Sequence, residues 1–186
     1  MPPRLVVAGA SRGGLEALSL LLAALPARFA ATLVVVLHRA REESWELLPL
    51  LQRRCALPVG FPLDKEPIEP GRVRIAPPNY HLLVEEGHFA FSLDAPENYA
   101  RPSVDALFES AAESYGAGVV GIVLTGTGRD GAKGLAAIHR QGGLAVVQAP
   151  TDAAAPAMPL AALAAVPGAR RMTLREIGKY LARMAR

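Results

Sequence analysis

Ser11 is the residue in this sequence best placed to act as a nucleophile. It follows a short apolar run, Leu5–Ala8, and precedes Gly13, Gly14 and an amphipathic segment. A strand, a tight turn of small residues and a helix would hold the hydroxyl at the end of the strand. The first N–H groups of such a helix have no acceptor within it and can bind an anion there. The pattern predicts a nucleophile and part of an oxyanion hole in one turn.

Two further polar residues follow apolar, β-branched runs. His38 comes directly after Thr32–Leu37, and Asp130 lies in the glycine-rich turn after Val119–Leu124. Ligands bind at the carboxyl ends of parallel strands, so we expect Ser11, His38 and Asp130 on one rim. A serine hydroxyl needs a base, and a histidine can accept its proton and return it to the leaving group. Since a carboxylate would fix the imidazole tautomer, the three residues predict a Ser–His–Asp hydrolase with an acyl-enzyme intermediate.

Residues beside this triad are expected to bind the oxyanion or the substrate. Backbone N–H groups that follow Ser11, and those of the turn 125–128, are the expected oxyanion donors. The residues assigned to these roles are Arg12, Gly13, Arg39, Thr127 and Gly128. Arg12 and Arg39 also motivate the hypothesis that the mouth of the site is basic and favours an acidic peptide.

Composition limits the class of protein. A chain of 186 residues, half of them hydrophobic, fits one domain spanning 1–186. The net charge is +3, but the charges are scattered, which disfavours a nucleic-acid partner. Cys55 is the single cysteine, so no internal disulfide or structural zinc site is expected. No apolar run is long enough to span a bilayer and the N-terminus does not read as a signal peptide, so we expect a cytoplasmic protein without membrane insertion.

The order of the elements predicts the fold. Apolar runs alternate with helical patterns along most of the chain, which is typical of a mainly parallel, doubly wound sheet in a three-layer α/β/α domain. The run 82–93, with Gly87 at its centre, breaks the alternation and predicts an antiparallel hairpin. Thr173 and Glu176 form a capping-box pattern that opens a last helix. The stretches 94–102 and 149–159 are expected to be surface loops.

Five motifs in this order resemble those of the chemotaxis receptor methylesterases, the CheB-type protein-glutamate methylesterases. They are Gly9-Ala10-Ser11-Arg12-Gly13-Gly14, the strand-end His38, Ile75-Ala76-Pro77 with His81, Arg101-Pro102-Ser103-Val104-Asp105, and Leu124-Thr125-Gly126-Thr127-Gly128-Arg129-Asp130-Gly131-Ala132. A later Met158-Pro159 also fits, so the resemblance covers nearly the whole chain.

The resemblance implies hydrolysis of glutamate methyl esters on chemoreceptor signalling helices, with glutamine deamidation as a second activity. It implies that Ser11 is the nucleophile, His38 the base and Asp130 the third member, with no metal and no cofactor. Arg12, Arg39 and Thr127 depart from the usual residues of the family. The usual receiver domain is not expected because the catalytic strand begins at Leu5, so a separate receiver or kinase protein is a candidate partner.

Other interpretations remain open at this stage. The turn around Ser11 also resembles the cofactor loop of short-chain dehydrogenases, but no tyrosine has a lysine four residues later. A non-catalytic signalling module of the same fold, or an esterase for another methylated protein or a small molecule, would keep the same motifs. Asp105 could act as an alternative acid or complement a helix dipole. His81 could shape the site or simply lie in a loop.

Overall fold

A seven-stranded parallel sheet forms the centre of the molecule. The computed structural model describes residues 5–38 and 44–184, and for Ser44 and Trp45 it describes only the backbone. The strand order is β3-β4-β2-β1-β7-β8-β9. These strands are β1 (Leu5–Ala10), β2 (Thr32–Leu37), β3 (Val59–Gly60), β4 (Arg72–Ile75), β7 (Val119–Val123), β8 (Leu144–Gln148) and β9 (Arg170–Met172). A separate antiparallel hairpin consists of β5 (His81–Glu85) and β6 (His88–Ser92).

Among the described residues, six α-helices cover the two faces of the sheet. They are α1 (Gly14–Ala23), α2 (Ser44–Gln52), α3 (Val104–Tyr115), α4 (Ala132–Arg140), α5 (Ala157–Ala165) and α6 (Leu174–Ala182). Side chains of α1, α2 and α6 form the core on one face, and those of α3, α4, α5 and the hairpin form the core on the other. The central strands β1, β2 and β7 are buried along their whole length, because both of their faces are covered. The predicted three-layer α/β/α architecture with an antiparallel hairpin is confirmed.

The chain order of the strands brings the predicted site residues to one edge. From β1 the chain forms β2 beside it, then the edge strand β3, then β4 between β2 and β3, and it later places β7 on the other side of β1. The strands β2, β1 and β7 are therefore neighbours in the middle of the sheet. Ser11, His38 and Asp130 follow the carboxyl ends of these three strands, where doubly wound sheets form their ligand sites.

Two short elements differ from the sequence-based expectation. The stretch 149–159 was expected to be a loop, but α5 begins within it, at Ala157. Pro159 lies in the first turn of α5, where a proline removes no helical hydrogen bond. Strand β9 was not expected, because it has three residues and two of them are exposed arginines. A short charged strand at the edge of a sheet has almost no hydrophobic pattern.

No helix in the described ranges is long and apolar enough to cross a bilayer.

Candidate active site

Ser11 occupies the turn between β1 and α1. Its backbone N–H donates to the carbonyl of Thr125 (3.0 Å), and its carbonyl accepts from Gly14 N (2.8 Å). Gly13, the N-cap of α1, has a φ of 75°, and a Cβ on it would lie 2.7 Å from Ala154 Cβ. Because this turn needs a left-handed residue without a side chain, glycine at position 13 fixes how the hydroxyl is presented.

Gly126 packs directly behind Ser11. A Cβ on Gly126 would lie 2.9 Å from Ser11 Cβ and would overlap Met158 Sδ. Its N–H donates to the carbonyl of Ala155 (2.9 Å), and its carbonyl accepts from Met158 N (3.0 Å). The loop after β7 thus supports Ser11 only because position 126 has no side chain.

His38 lies between the serine turn and a buried carboxylate. Its backbone N–H donates to the carbonyl of Ala10 (2.9 Å), which continues the pairing of β1 and β2 up to the site. The ring Nε2 is 3.0 Å from Asp130 Oδ2, and the two side chains are 20% and 5% exposed. At this distance the pair is in contact, but the ring N–H does not point at the oxygen well enough to form a hydrogen bond in this structure.

Asp130, in the loop before α4, binds the first turn of α3. Its Oδ2 accepts from Val104 N (2.7 Å), and its Oδ1 accepts from Asp105 N (3.0 Å) and Ser103 Oγ (3.0 Å). Burial acts to raise the pKa of Asp130, but the interaction with His38 and the two backbone N–H groups outweigh it and hold the pKa below its ordinary value. Asp130 is therefore a charged carboxylate at neutral pH, as a partner of an imidazolium must be.

Asp105 is a second buried carboxylate behind the first. Its Oδ1 accepts from the backbone N–H groups of Gly131 (2.9 Å) and Gly134 (2.7 Å). Burial is the largest cause that raises the pKa of Asp105 to about 6; the hydrogen bond from Gly134 opposes the rise and the charge of Asp130 adds to it. Within the described residues Asp105 makes no contact with His38, whereas Asp130 does, and this argues against its alternative role as the catalytic acid.

Some of the predicted oxyanion donors already donate a hydrogen bond within the protein, and others do not. Thr125 N donates to Gln148 Oε1 (2.8 Å), and the N–H of Gly126 is engaged by Ala155, so neither is available. Four further N–H groups have no acceptor within the described part of the chain: those of Arg12, Gly13, Thr127 and Gly128. These lie on the two loops that flank the serine and are the groups that can stabilise a developing negative charge.

A cavity of about 460 Å³ opens in front of the serine. Its lining includes Ser11, His38, Phe61, Tyr99, Arg101 and Thr127. A larger and more apolar cavity of about 750 Å³ lies between α1 and α6. We assign the chemistry to the smaller cavity, because Ser11 and His38 both line it and neither lines the larger one.

The structure brings together some predicted residues but not all of them. His38 and Asp130 are in contact, and Ser11 lines the same cavity, yet within the described residues no hydrogen bond joins Ser11 Oγ to the imidazole. Such bonds are often formed only when substrate is bound. Arg12 is exposed and does not line the cavity, and Arg39 lies outside the described residues. Arg101 is the arginine found in the cavity lining.

Sequence reasoning missed the residues that hold Asp130 in place. The side chain of Asn98 donates to Asp130 Oδ1 (3.1 Å), a contact for which the sequence carries no local signal. Ser103 was predicted only as a helix cap, and it also binds Asp130. His81 is buried; its Nδ1 accepts from Ser103 N (3.2 Å) and its Nε2 lies 3.1 Å from the carbonyl of Ala95. His81 thereby holds the segment 95–103, which leads to α3, against β5.

Across residues 5–38 and 44–184, no group of three or more His, Cys, Asp or Glu side chains is arranged to hold a metal ion.

Comparison with known proteins gives a consistent result. The family model described as CheB methylesterase matches residues 6–181. A Leptospira interrogans protein, provisionally named protein-glutamate methylesterase/protein-glutamine glutaminase, is 39% identical over 96% of this chain and 93% of its own length. A Pseudomonas putida protein-glutamate methylesterase/protein-glutamine glutaminase of group 3 operon is 39% identical over 86% of this chain.

This chain spans about half of the Pseudomonas protein, 48% of its length. Among solved structures, the catalytic domain of Thermotoga maritima CheB methylesterase is 28% identical, with a TM-score of 0.93 and complete coverage of both chains.

Proposed function

Because this chain belongs to the CheB methylesterase family, we propose that it hydrolyses glutamate methyl esters on chemoreceptor signalling helices through Ser11, His38 and Asp130. The match to the family covers residues 6–181, so it includes all three. The contact between His38 and Asp130 beside Ser11, at the carboxyl ends of three neighbouring strands, is the observation that carries the proposal.

Acylation follows from the orientation of the imidazole. Nε2 of His38 is the nitrogen beside Asp130, so Nδ1 is left to accept the proton of Ser11. The serine oxygen bonds to the ester carbonyl carbon, and the carbonyl oxygen becomes an oxyanion. The free N–H groups of Thr127 and Gly128, with the positive end of α1, stabilise this charge. His38 then protonates the methoxide as the carbon–oxygen bond breaks, which releases methanol and leaves an acyl-enzyme.

Deacylation uses the same groups in reverse. His38 takes a proton from water, the water oxygen attacks the acyl carbon, and the serine oxygen leaves with the proton that His38 returns. A glutamine side chain would form the same acyl-enzyme with ammonia as the leaving group. The name glutaminase borne by the curated relatives supports this second activity.

The partners follow from the substrate. Methylated cytoplasmic helices of chemoreceptors are the proposed substrates, so we expect the enzyme in the cytoplasm. The chain spans about half the length of several relatives, and a separate receiver or kinase protein is a proposed regulator. Neither a nucleic-acid partner nor insertion into the membrane is proposed.

Methanol release from methylated receptor fragments tests this function. We expect release by the unaltered chain, and a loss of about a thousandfold or more in kcat in Ser11→Ala and in His38→Ala, because each removes a member of the catalytic unit. Asp130→Asn should lose about as much, since it leaves the imidazole in the wrong tautomer. Far-UV circular dichroism checks that each variant is folded.

Two outcomes would contradict the proposal. Binding of the receptor fragment without methanol release would indicate a non-catalytic signalling module. Hydrolysis of small esters, but of no methylated receptor fragment, would indicate an esterase with another substrate. Arg140→Gln, in the last turn of α4 at the opposite edge of the sheet, serves as the control variant and should keep the unaltered rate.

A further inference from the structure

The starts of α3 and α4 are capped reciprocally: an aspartate at the start of each helix accepts hydrogen bonds from the first N–H groups of the other. Asp130, which precedes α4, binds the first N–H groups of α3, at Val104 and Asp105. Asp105, in the first turn of α3, binds the N–H groups of Gly131 and Gly134 at the start of α4. Each carboxylate thereby lies in the favourable field of the other helix. The exchange also brings two buried negative charges close together.

A single amide lies between these two charges. Asn98 Nδ2 donates to Asp105 Oδ2 (2.8 Å) and to Asp130 Oδ1 (3.1 Å). One NH₂ group carries two protons, so it can serve both acceptors at once. The remaining hydrogen bonds to the carboxylates come from backbone N–H groups and from the Ser103 hydroxyl, and the imidazole of His38 lies in contact with Asp130. Asn98 is therefore the one side-chain donor in the described structure that joins the two acids.

The backbone at this position suits asparagine. Glu97 and Ala100 exchange backbone hydrogen bonds of 3.1 and 2.8 Å, which closes a two-residue turn. Asn98 has a φ of 49°, in the left-handed region that asparagine and glycine tolerate best. The turn also lines the catalytic cavity, so the amide enters the site from the solvent side.

We propose that Asn98 is a positioning residue, whose amide bridges Asp105 and Asp130 and holds the triad carboxylate charged and directed at His38. The inference rests on the proposed function, because it assigns Asn98 a role in that reaction. Like charges disfavour each other's ionisation, and hydrogen bonds to the charged form restore it. Without the amide, the pair of acids would keep a proton to higher pH, and Asp130 would lose one of the bonds that orient it.

Several titratable groups surround the pair. Among the described residues they are His38 after β2, His81 at the start of β5, Glu97 in the turn, Glu109 on α3, and Lys133 at the start of α4. Lys133 pairs with Glu109 through Nζ and Oε1 (3.0 Å). Within the described residues none of these groups donates a hydrogen bond to either carboxylate, so the bridging role falls to Asn98.

Two substitutions at position 98 test the role of the amide. Asn98→Gly keeps the left-handed backbone and removes the donor, and Asn98→Asp keeps the shape but adds a third carboxylate. We expect kcat for a p-nitrophenyl ester to fall about three- to tenfold in Asn98→Gly, with KM nearly unchanged. We also expect the acid limb of the kcat profile to move up by about half a pH unit, and further in Asn98→Asp.

Asn79 provides the matched control, because it also has a positive φ (74°), precedes a tyrosine and borders the same cavity, but contacts neither acid. Asn79→Gly should keep the acid limb of the unaltered enzyme. The rate at which a fluorophosphonate labels Ser11 gives a second readout, which should shift with pH in the same way.

Three results would overturn the inference. The first is an acid limb in Asn98→Asp that coincides with that of the unaltered enzyme. The second is an equal shift in Asn79→Gly. In both cases the unaltered enzyme still hydrolyses the ester, so the proposed chemistry of Ser11, His38 and Asp130 is not contradicted and only the role of Asn98 is lost. The third is an unaltered chain that neither hydrolyses esters nor is labelled at Ser11, and this would remove the proposed function together with the inference. If Asn98→Gly does not fold, Asn98→Asp decides.

Discussion

Two aspartates at the residue scale show how surroundings, rather than residue type, set chemistry. Asp105 and Asp130 are both buried and both bind helix N–H groups. Asp130 also faces His38, and its pKa lies below the ordinary value. Within the described residues Asp105 forms no ion pair, burial is the largest cause that raises its pKa to about 6, and the charge of Asp130 adds to the rise. The difference leaves Asp130 charged throughout the neutral range, while Asp105 is easily protonated.

The raised pKa of Asp105 predicts a pH-dependent stability. Its pKa in the folded state, about 6, is above the ordinary 3.8, so the folded chain binds more protons between these values. The contribution of Asp105 is therefore complete below about pH 4 and is lost as the pH rises through about 6, by no more than about 3 kcal/mol. Asp130 has the opposite sign, since its lowered pKa adds stability that is lost only in acid.

Urea unfolding of Asp105→Asn at pH 4.5 and pH 7 measures this contribution. The asparagine keeps an oxygen for Gly131 and Gly134 but cannot ionise. We therefore expect the loss in free energy of unfolding, relative to the unaltered chain, to be smaller at pH 7 than at pH 4.5. Titrating groups away from this pair of aspartates contribute equally to both proteins and cancel in the difference, and Asp130, whose pKa is lowered, stays charged in the folded state at both pH values. An equal difference in the free energy of unfolding at the two pH values would show that Asp105 is not the group responsible.

At the element scale, the turn 97–100 places a bulky residue where glycine fits best. Both central residues have positive φ, 49° at Asn98 and 64° at Tyr99, as in a type I′ turn. Asparagine suits the first position and glycine the second. The Tyr99 side chain is fully exposed and gains no packing that would offset the strain. A strained, exposed aromatic residue at the mouth of a cavity fits a position kept for contact with substrate.

Replacing Tyr99 by glycine should therefore stabilise the fold. We expect Tyr99→Gly to raise the free energy of unfolding by about 0.5–1 kcal/mol, because relief of left-handed strain exceeds the entropy cost of glycine. Tyr80→Gly is the matched control: Tyr80 also follows an asparagine but has no positive φ, and its ring lies 5.4 Å from that of Phe91. Thermal melts of both variants measure the effect, and we expect Tyr80→Gly to lose stability where Tyr99→Gly gains it. A loss of stability in both variants would refute the strain at position 99.

The sequence predicted elements where a periodic pattern and a cap coincide. Thr173 and Glu176 form the expected capping box at the start of α6. The buried strands β1, β2 and β7 were found because continuous apolar runs are typical of central parallel strands. Elements without such a pattern were missed: β9 is short and charged, and the alanine- and proline-rich sequence of α5 resembles a loop. Local sequence does not encode the sheet edge or the neighbouring helix that makes these segments regular.

Over the whole molecule, two cores share one sheet and leave its carboxyl edge free for the site. Because alternating strands and helices predict parallel strands whose carboxyl ends lie at one edge, the sequence predicted that Ser11, His38 and Asp130 would share that edge. It did not predict Asn98 or the reciprocal caps of Asp105 and Asp130. Those contacts join segments 7 to 32 residues apart in the chain, and only the packed fold brings them together. The parallel sheet and its layers were therefore predictable, whereas the strand order and the hydrogen bonds that tune the carboxylates were not.

The charge of the whole molecule bears on which substrates approach this edge. The chain carries a net charge of +3, and Arg12 is exposed on the loop beside the serine. We expect Arg12→Glu to lower kcat/KM for an acidic methylated helix about two- to fivefold at low salt, with kcat nearly unchanged, because the exposed charge acts on encounter rather than chemistry. The effect should fade when salt shortens the screening length to a few ångströms.

Arg28→Glu is the control, because it makes the same change of net charge on the segment between α1 and β2, at the opposite edge of the sheet. If both reversals reduce kcat/KM equally, net charge governs the encounter and Arg12 has no local role; a reduction confined to Arg12→Glu places the acidic face of the substrate over the serine turn.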